Sequence, residues 1–200
     1  MSSMQNPAKI ALRSRIKKIL AQMTVENRQR QSQSIREKLF ENSYYKSANR
    51  VSLYLSTTNE VDTTLILKDL FARKKQVFVP TYTSNTMQMV KLNDFEDYLN
   101  LPLTKWNIRQ PNPNDSNREN CLETDGLNLI LLPGVAFTLN GSRCGHGMGY
   151  YDKFLKNYFE KFPQKQTKLI GVGFKEQILD ESLLPLDPHD YPLDEVITSD

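Results

Sequence analysis

Residues 128–133 carry four consecutive aliphatic side chains, Leu129, Ile130, Leu131 and Leu132, set between Asn128 and Pro133. A run this short and this apolar leaves neither side of the pleat for water, so it predicts a strand inside a sheet covered on both faces. Helix and strand patterns alternate around it. Pro7 suits the first turn of a helix whose stripe is Leu12, Ile16, Ile19, Leu20 and Met23. Thr24 predicts the N-cap of a second helix running toward Phe40. Val51, Leu53 and Leu55 alternate as in a strand, and residues 63–73 predict a helix with Ile66, Leu67, Leu70 and Phe71 inward. Residues 76–80, 87–92, 168–174 and 195–198 predict further strands, and 150–159 a further helix. This order predicts an α/β fold, a single three-layer domain over residues 1–200 with a mainly parallel central sheet flanked by helices. Residues 107–125, rich in Asn, Pro and Asp, predict a long surface loop.

Composition narrows the function class by exclusion. Among 200 residues, 26 Lys and Arg against 23 Asp and Glu leave a net charge of +3, which gives no reason to expect nucleic acid. No apolar run is long enough for a membrane span. Two cysteines, Cys121 and Cys144, cannot build a disulfide framework or a four-cysteine zinc site, and they fit a reducing compartment. The first 25 residues hold five basic and no acidic side chains, a pattern shared with mitochondrial transit peptides.

The segment that carries chemistry is 140–153, Asn-Gly-Ser-Arg-Cys-Gly-His-Gly-Met-Gly-Tyr-Tyr-Asp-Lys. Gly145, Gly147 and Gly149 alternate across five positions, after the buried strand and before a helix. Glycines let backbone N–H groups converge, and a helix N-terminus adds positive potential, so the segment reads as an anion cradle. Arg143 can clamp a phosphate with its planar fork, and Asp152 can hold magnesium against it. The segment is neither a Walker A loop nor a G-x-G-x-x-G fingerprint. A tight glycine turn with no ligand is the competing reading, and the flanking Arg143 and Asp152 favour a phosphate site.

Cys144 and His146 can be read as a thiol–imidazole pair, but they lie two positions apart in a glycine loop with no evident orienting third group, which disfavours a nucleophilic cysteine. His146 and His189 are too few for a histidine-based zinc site without carboxylate help. Lys9, Arg13 and Lys17, four apart, form a stripe that by default is a solvated helix face. The carboxylates Asp187, Asp190, Asp194 and Glu195 are by default surface charge.

The segments LLPGVAF, NGSRCGHGMGYYDKFL, GVGFKEQ and LPLDPHDYPLDEVIT, with LYLSTTNEVDT earlier, resemble in order and spacing the 5-formyltetrahydrofolate cyclo-ligase family, also called methenyltetrahydrofolate synthetase. The likeness runs from about Lys9 to Val196. It implies a ligase of one-carbon metabolism that converts 5-formyltetrahydrofolate to 5,10-methenyltetrahydrofolate while cleaving ATP to ADP and phosphate. The γ-phosphoryl passes to the formyl oxygen, and N10 of the folate then closes the ring. Carried onto this chain, Arg143, Lys9 and Arg13 would be catalytic. Lys9, Arg13, Arg143, Cys144, Gly145, His146, Gly147, Met148, Gly149, Tyr150 and Tyr151 would hold ATP. Leu55, Glu60, His146, Gly147, Met148, Gly149 and Tyr150 would border the folate, and Asp152 and Asp190 would serve Mg2+. The chain departs from animal members, which carry basic residues at the positions of His146 and Met148. Tyr82, Trp106, Tyr150 and Tyr151 are the aromatics available to wall the folate rings. The expected partners are the small-molecule substrates, without nucleic acid or membrane, and the expected state is a monomer. A first helix that supplies ATP ligands also favours a cytoplasmic over a mitochondrial protein. On the residues alone two other classes stay open: a phosphometabolite isomerase or transferase on a similar scaffold, and a non-catalytic nucleotide- or folate-binding module.

Overall fold

The computed structural model describes residues 6–83, 86–104, 108–188 and 190–200. Asn6 accepts a hydrogen bond from the Ala8 amide and opens helix α1, Pro7–Ala21. Thr24 caps α2, Val25–Glu41, by accepting from the Asn27 amide. A one-turn helix α3, Ser43–Ser47, leads into β1, Arg50–Ser52. Helix α4, Thr64–Ala72, crosses to β2, Gln76–Tyr82, which turns back into β3, Met87–Leu92. Then come α5, Phe95–Asn100, and β4, Leu129–Leu132. A hairpin of β5, Ala136–Phe137, and β6, Arg143–Cys144, precedes α6, Tyr150–Lys161. Strands β7, Lys168–Gly173, and β8, Glu195–Thr198, complete the sheet.

The main sheet has the order β3-β2-β1-β4-β7-β8, parallel throughout except for β3. All four residues of β4 are fully buried, as an aliphatic run covered by helices on both faces requires. The α/β class and the mainly parallel sheet read from the sequence are therefore observed. From β1 the chain adds β2 and β3 on one side, and β4, β7 and β8 follow on the other. The strand order reverses between β1 and β4, and the C-terminal ends of strands at such a point form the natural crevice of an open α/β sheet.

Several local expectations change. Ile19 is exposed, and the buried stripe of α1 is Lys9, Leu12, Ile16 and Leu20. Lys9 is thus not on a solvated face. The β1 ladder stops at Ser52, although Leu53 and Tyr54 stay buried. Phe71 is half-buried. The end of the 107–125 segment is no free loop: Asn120 bridges Val90, and Cys121 is fully buried with its amide on Met89 O. The sequence places the glycine loop directly after the β4 strand, but the β5–β6 hairpin intervenes and Arg143 and Cys144 are its second strand.

Candidate active site

A cleft of about 1010 Å³ opens at the C-terminal ends of β1, β2 and β4. Tyr54 and Leu55 line it just past β1, Pro80 and Tyr82 from β2, and Pro133, Gly134 and Val135 just past β4. Helix α1 contributes Arg13, Lys17 and Leu20, and the glycine loop contributes Gly145, His146, Met148 and Gly149. The cleft therefore occupies the crevice that the strand order defines.

The loop's geometry demands its glycines. Gly147 has φ +103°, and a Cβ there would meet the Arg13 guanidinium carbon at 3.3 Å. Gly149 has φ +66° at the N-cap of α6, a left-handed conformation that L side chains rarely adopt. Among the described residues, the N–H groups of His146, Met148 and Gly149 have no acceptor within the protein. Free amides at a helix N-terminus form an anion-binding surface.

Arg143 projects from β6 into the floor of the cleft and is 4% exposed. One guanidinium nitrogen donates to Asp152 Oδ1 at 2.6 Å and another to Pro133 O at 3.2 Å, while its Nε has no partner among the described residues. The fork is held by a carboxylate from the first turn of α6 and a carbonyl at the β4 exit, so its position does not depend on a ligand. Arg13 reaches the loop from α1, donating from Nε to Gly145 O at 2.8 Å.

Lys9, one turn earlier on α1, does not line the cleft. Its ammonium is ion-paired with Asp187 at 2.8 Å and with Asp190 at shorter range. Burial would lower its pKa, but the two carboxylates overcome this and raise it, so Lys9 stays charged. Asp190 also accepts from the Asp187 amide at 2.7 Å. The two carboxylates assigned to magnesium are thus engaged in separate pairs, Asp152 with Arg143 and Asp190 with Lys9. No group of three or more His, Cys, Asp or Glu side chains among the described residues forms a metal site. Magnesium asks for only one or two carboxylates when phosphates and water complete its shell. Asp152, on the cleft wall with only its Oδ1 in the ion pair, fits that role. Asp190 does not line the cleft.

Glu60 projects from the loop after β1. Its Oε2 accepts from the Thr57 amide at 2.8 Å, and its Oε1 lies 3.8 Å from His146 Nε2 across the cleft. His146 is open to solvent at the mouth, with 57% of its side chain exposed. The surrounding walls lower its pKa, and the Arg143 and Arg13 charges add to this against the pull of Glu60. Cys144 is buried, and burial pushes its thiol up, so it is no thiolate nucleophile.

Tyr82 and Tyr150 meet edge to face at 5.1 Å on the wall of the cleft, and Tyr150 donates to Thr83 O at 3.2 Å. Tyr151 lies beneath them, over the Arg143 guanidinium at 5.8 Å. Burial raises the pKa of both Tyr82 and Tyr151, which keeps their hydroxyls protonated. Leu55 is half-buried at the same wall. Trp106 and His189 lie outside the described residues. Lys17 and Gln177 are among the lining residues that the sequence leaves unmarked as site residues. Lys17 read as solvated surface, and Gln177 sits in the GVGFKEQ segment with no charge or motif chemistry to single it out.

A fixed guanidinium, a glycine loop at a helix N-terminus and a cleft at the sheet's reversal point define an α/β protein whose cleft is suited to a phosphate-bearing ligand. Its relatives make this particular. The model of the 5-formyltetrahydrofolate cyclo-ligase family matches residues 5–199. The 5-formyltetrahydrofolate cyclo-ligase of Mus musculus is 41% identical over 197 residues, covering 98% of this chain and 95% of that protein. A probable 5-formyltetrahydrofolate cyclo-ligase of Caenorhabditis elegans is 40% identical over 191 residues, covering 94% and 91%. The solved structure of Aquifex aeolicus 5,10-methenyltetrahydrofolate synthetase superposes with a TM-score of 0.74 at 25% identity, covering 96% of this chain and 91% of that one. The chain belongs to the 5-formyltetrahydrofolate cyclo-ligase family, and the ligase assignment made from its glycine loop and flanking segments agrees with these relatives.

Proposed function

We propose that this chain converts 5-formyltetrahydrofolate to 5,10-methenyltetrahydrofolate, with ATP cleaved to ADP and phosphate, in the cleft between the glycine loop and the exits of β1 and β4. The observation that carries the reading is the buried Arg143 fork beside the open N–H groups of His146, Met148 and Gly149, with Glu60 on the wall of the same cleft. A formyl amide is a weak electrophile with a poor leaving oxygen. The formyl oxygen attacks the γ-phosphorus, the bond to the β-phosphate oxygen breaks, and ADP departs. N10 then adds to the activated formyl carbon and loses its proton. The C–O bond breaks last, expelling phosphate and leaving the methenyl bridge. The folate supplies both nucleophiles, so the protein's work is orientation and charge.

In this reading Arg143 and Arg13 stabilise the phosphoryl group in transfer, and the loop amides cradle its oxygens. Lys9 joins them when Asp187 and Asp190 yield it to the nucleotide. Asp152 would hold a magnesium ion arriving with ATP, and such an ion neutralises phosphate charge. Glu60 accepts from the pterin N–H edge, Leu55 and the Tyr82–Tyr150 pair flank the rings, and His146 and Met148 sit over the bound ligand. We also read the chain as a cytoplasmic monomer. Arg13 of α1 lines the cleft, so the first helix belongs to the working site in this reading.

The test is the purified protein with ATP, magnesium and 5-formyltetrahydrofolate, followed by the absorbance of the methenyl product. The reading expects ATP-dependent product with matching ADP. Ligand binding without ADP release would make it a binding module, and turnover of a phosphorylated metabolite without ATP would make it an isomerase or transferase.

A further inference from the structure

Gln177 is 3% exposed, yet it lines the cleft. Its amide is fully engaged. Nε2 donates to Gly134 O at 2.7 Å and to Val135 O at 3.2 Å, and Oε1 accepts from the Phe174 amide at 2.9 Å. One side chain thus ties the exit of β7 to the exit of β4 at the edge of the sheet that forms the cleft floor.

The tied segment governs the two elements that face phosphate. Pro133, adjoining Gly134, offers the carbonyl that holds the Arg143 guanidinium at 3.2 Å. Val135 donates its amide to Cys144 O at 2.7 Å, at the entrance of the glycine loop. The segment cannot easily settle elsewhere by itself. A buried carbonyl deprived of its donor seeks another partner, and the nearest adjustment is a shift of the 133–135 backbone. Such a shift moves the Pro133 carbonyl and the Cys144 strand together. An ordinary buried glutamine would fasten core elements away from chemistry. This one fastens the backbone from which Arg143 takes its orientation.

We infer that Gln177 is a positioning residue for phosphoryl transfer, acting through the β4 exit on Arg143. The inference rests on the proposed ATP-dependent ring closure. Gln177 does not touch the transferring group; it sets where the guanidinium meets it. Misplacing a catalytic group by about 1 Å costs on the order of 100-fold in rate. Gln177→Met keeps length and volume and removes both donor and acceptor. It should lower kcat by about 100-fold while the KM values for ATP and 5-formyltetrahydrofolate stay within about threefold, because binding contacts are retained.

The test is a double-mutant cycle with Arg143→Lys, read as folate-dependent ADP release per folded molecule. If Gln177 acts through Arg143, Gln177→Met costs less than about threefold in the Arg143→Lys background, since the fork it positions is already gone. Losses that multiply independently would overturn the inference. So would a Gln177→Met enzyme with a lowered melting temperature and the kcat of wild type. Should Gln177→Met fail to fold, Gln177→Glu carries the test. Its protonated acid keeps one O–H donor for a β4-exit carbonyl, so its kcat relative to wild type should rise by about tenfold or more from pH 8 to pH 6. A flat ratio would overturn the positioning role. A wild-type protein that makes no methenyl product would instead remove the proposed function itself.

Discussion

Replacing Asp152 by Ala separates two roles that this carboxylate combines. It is the carboxylate ion-paired with Arg143, at 2.6 Å, and the Arg143 side chain is only 3% exposed. Removing one partner of a buried pair leaves an uncompensated charge and costs about 3–5 kcal/mol. The low end applies here. Asp152 is 21% exposed, so water can follow it toward the guanidinium, and the bond to Pro133 O survives. A loss of about 3 kcal/mol in a chain of this size lowers the melting temperature by roughly 6–12 °C. Calorimetry of the nucleotide-free protein at pH 7 with chelator present isolates this effect from any metal. Asp152→Asn keeps an acceptor oxygen for the fork and should fall between wild type and Asp152→Ala. If Asp152 served only a metal, its removal under these conditions would leave the melting temperature unchanged. A shift of less than about 1 °C would refute the claim that Asp152 holds Arg143 in place.

Glu60→Gln should raise the KM for 5-formyltetrahydrofolate and leave that for ATP nearly unchanged, because in the proposed reading the carboxylate accepts from the pterin edge and approaches the glycine loop only at the His146 side chain, at 3.8 Å. Unchanged folate kinetics would remove Glu60 from the site. Arg13→Ala should raise the KM for ATP while circular dichroism stays that of wild type, since the side chain's described bond is to the loop carbonyl of Gly145. Wild-type behaviour at limiting ATP would return that face of α1 to a structural role. Arg118 grips both oxygens of Asp97 at 2.7 Å, which holds that carboxyl below its ordinary value of 3.8 against the opposing effect of burial. The folded state therefore takes up this proton less readily than the unfolded one, so the pair's stability is complete above the unfolded carboxyl's range and is lost as pH falls through the lower folded value. Urea unfolding should show Asp97→Asn less stable by about 1 kcal/mol at pH 7. That gap should shrink below about pH 4, and a gap that widened in acid would contradict the assignment.

What was legible in the sequence was local. The aliphatic β4, the alternating glycines and the amphipathic start of α6 lie within one stretch of chain, so periodicity and backbone chemistry name them directly. The long-range pairs were not legible. Lys9 on an i, i+4 stripe with Arg13 reads as solvated until Asp187 and Asp190, brought over from the far end of the chain, bury it. Asp190, surface charge by default and a magnesium ligand only by resemblance, is found paired with that same lysine. The approach of Glu60 to His146 depends on strand order, which local spacing does not encode. The two-residue strands β5 and β6 are too short to show alternation, and α5, with six residues and none buried, shows no apolar stripe. Gln177 escaped because a neutral amide is functional only through the carbonyls it meets.

The central claim is that the formyl oxygen receives the γ-phosphoryl group within this cleft. It is tested most directly with 5-formyltetrahydrofolate carrying ¹⁸O in the formyl group, turned over with unlabelled ATP in unlabelled water. The account predicts that the label leaves in inorganic phosphate, one atom for each methenyl product formed, with none in ADP. Phosphate free of ¹⁸O, with the label released to water, would mean that ATP is hydrolysed apart from the formyl group and would contradict the account.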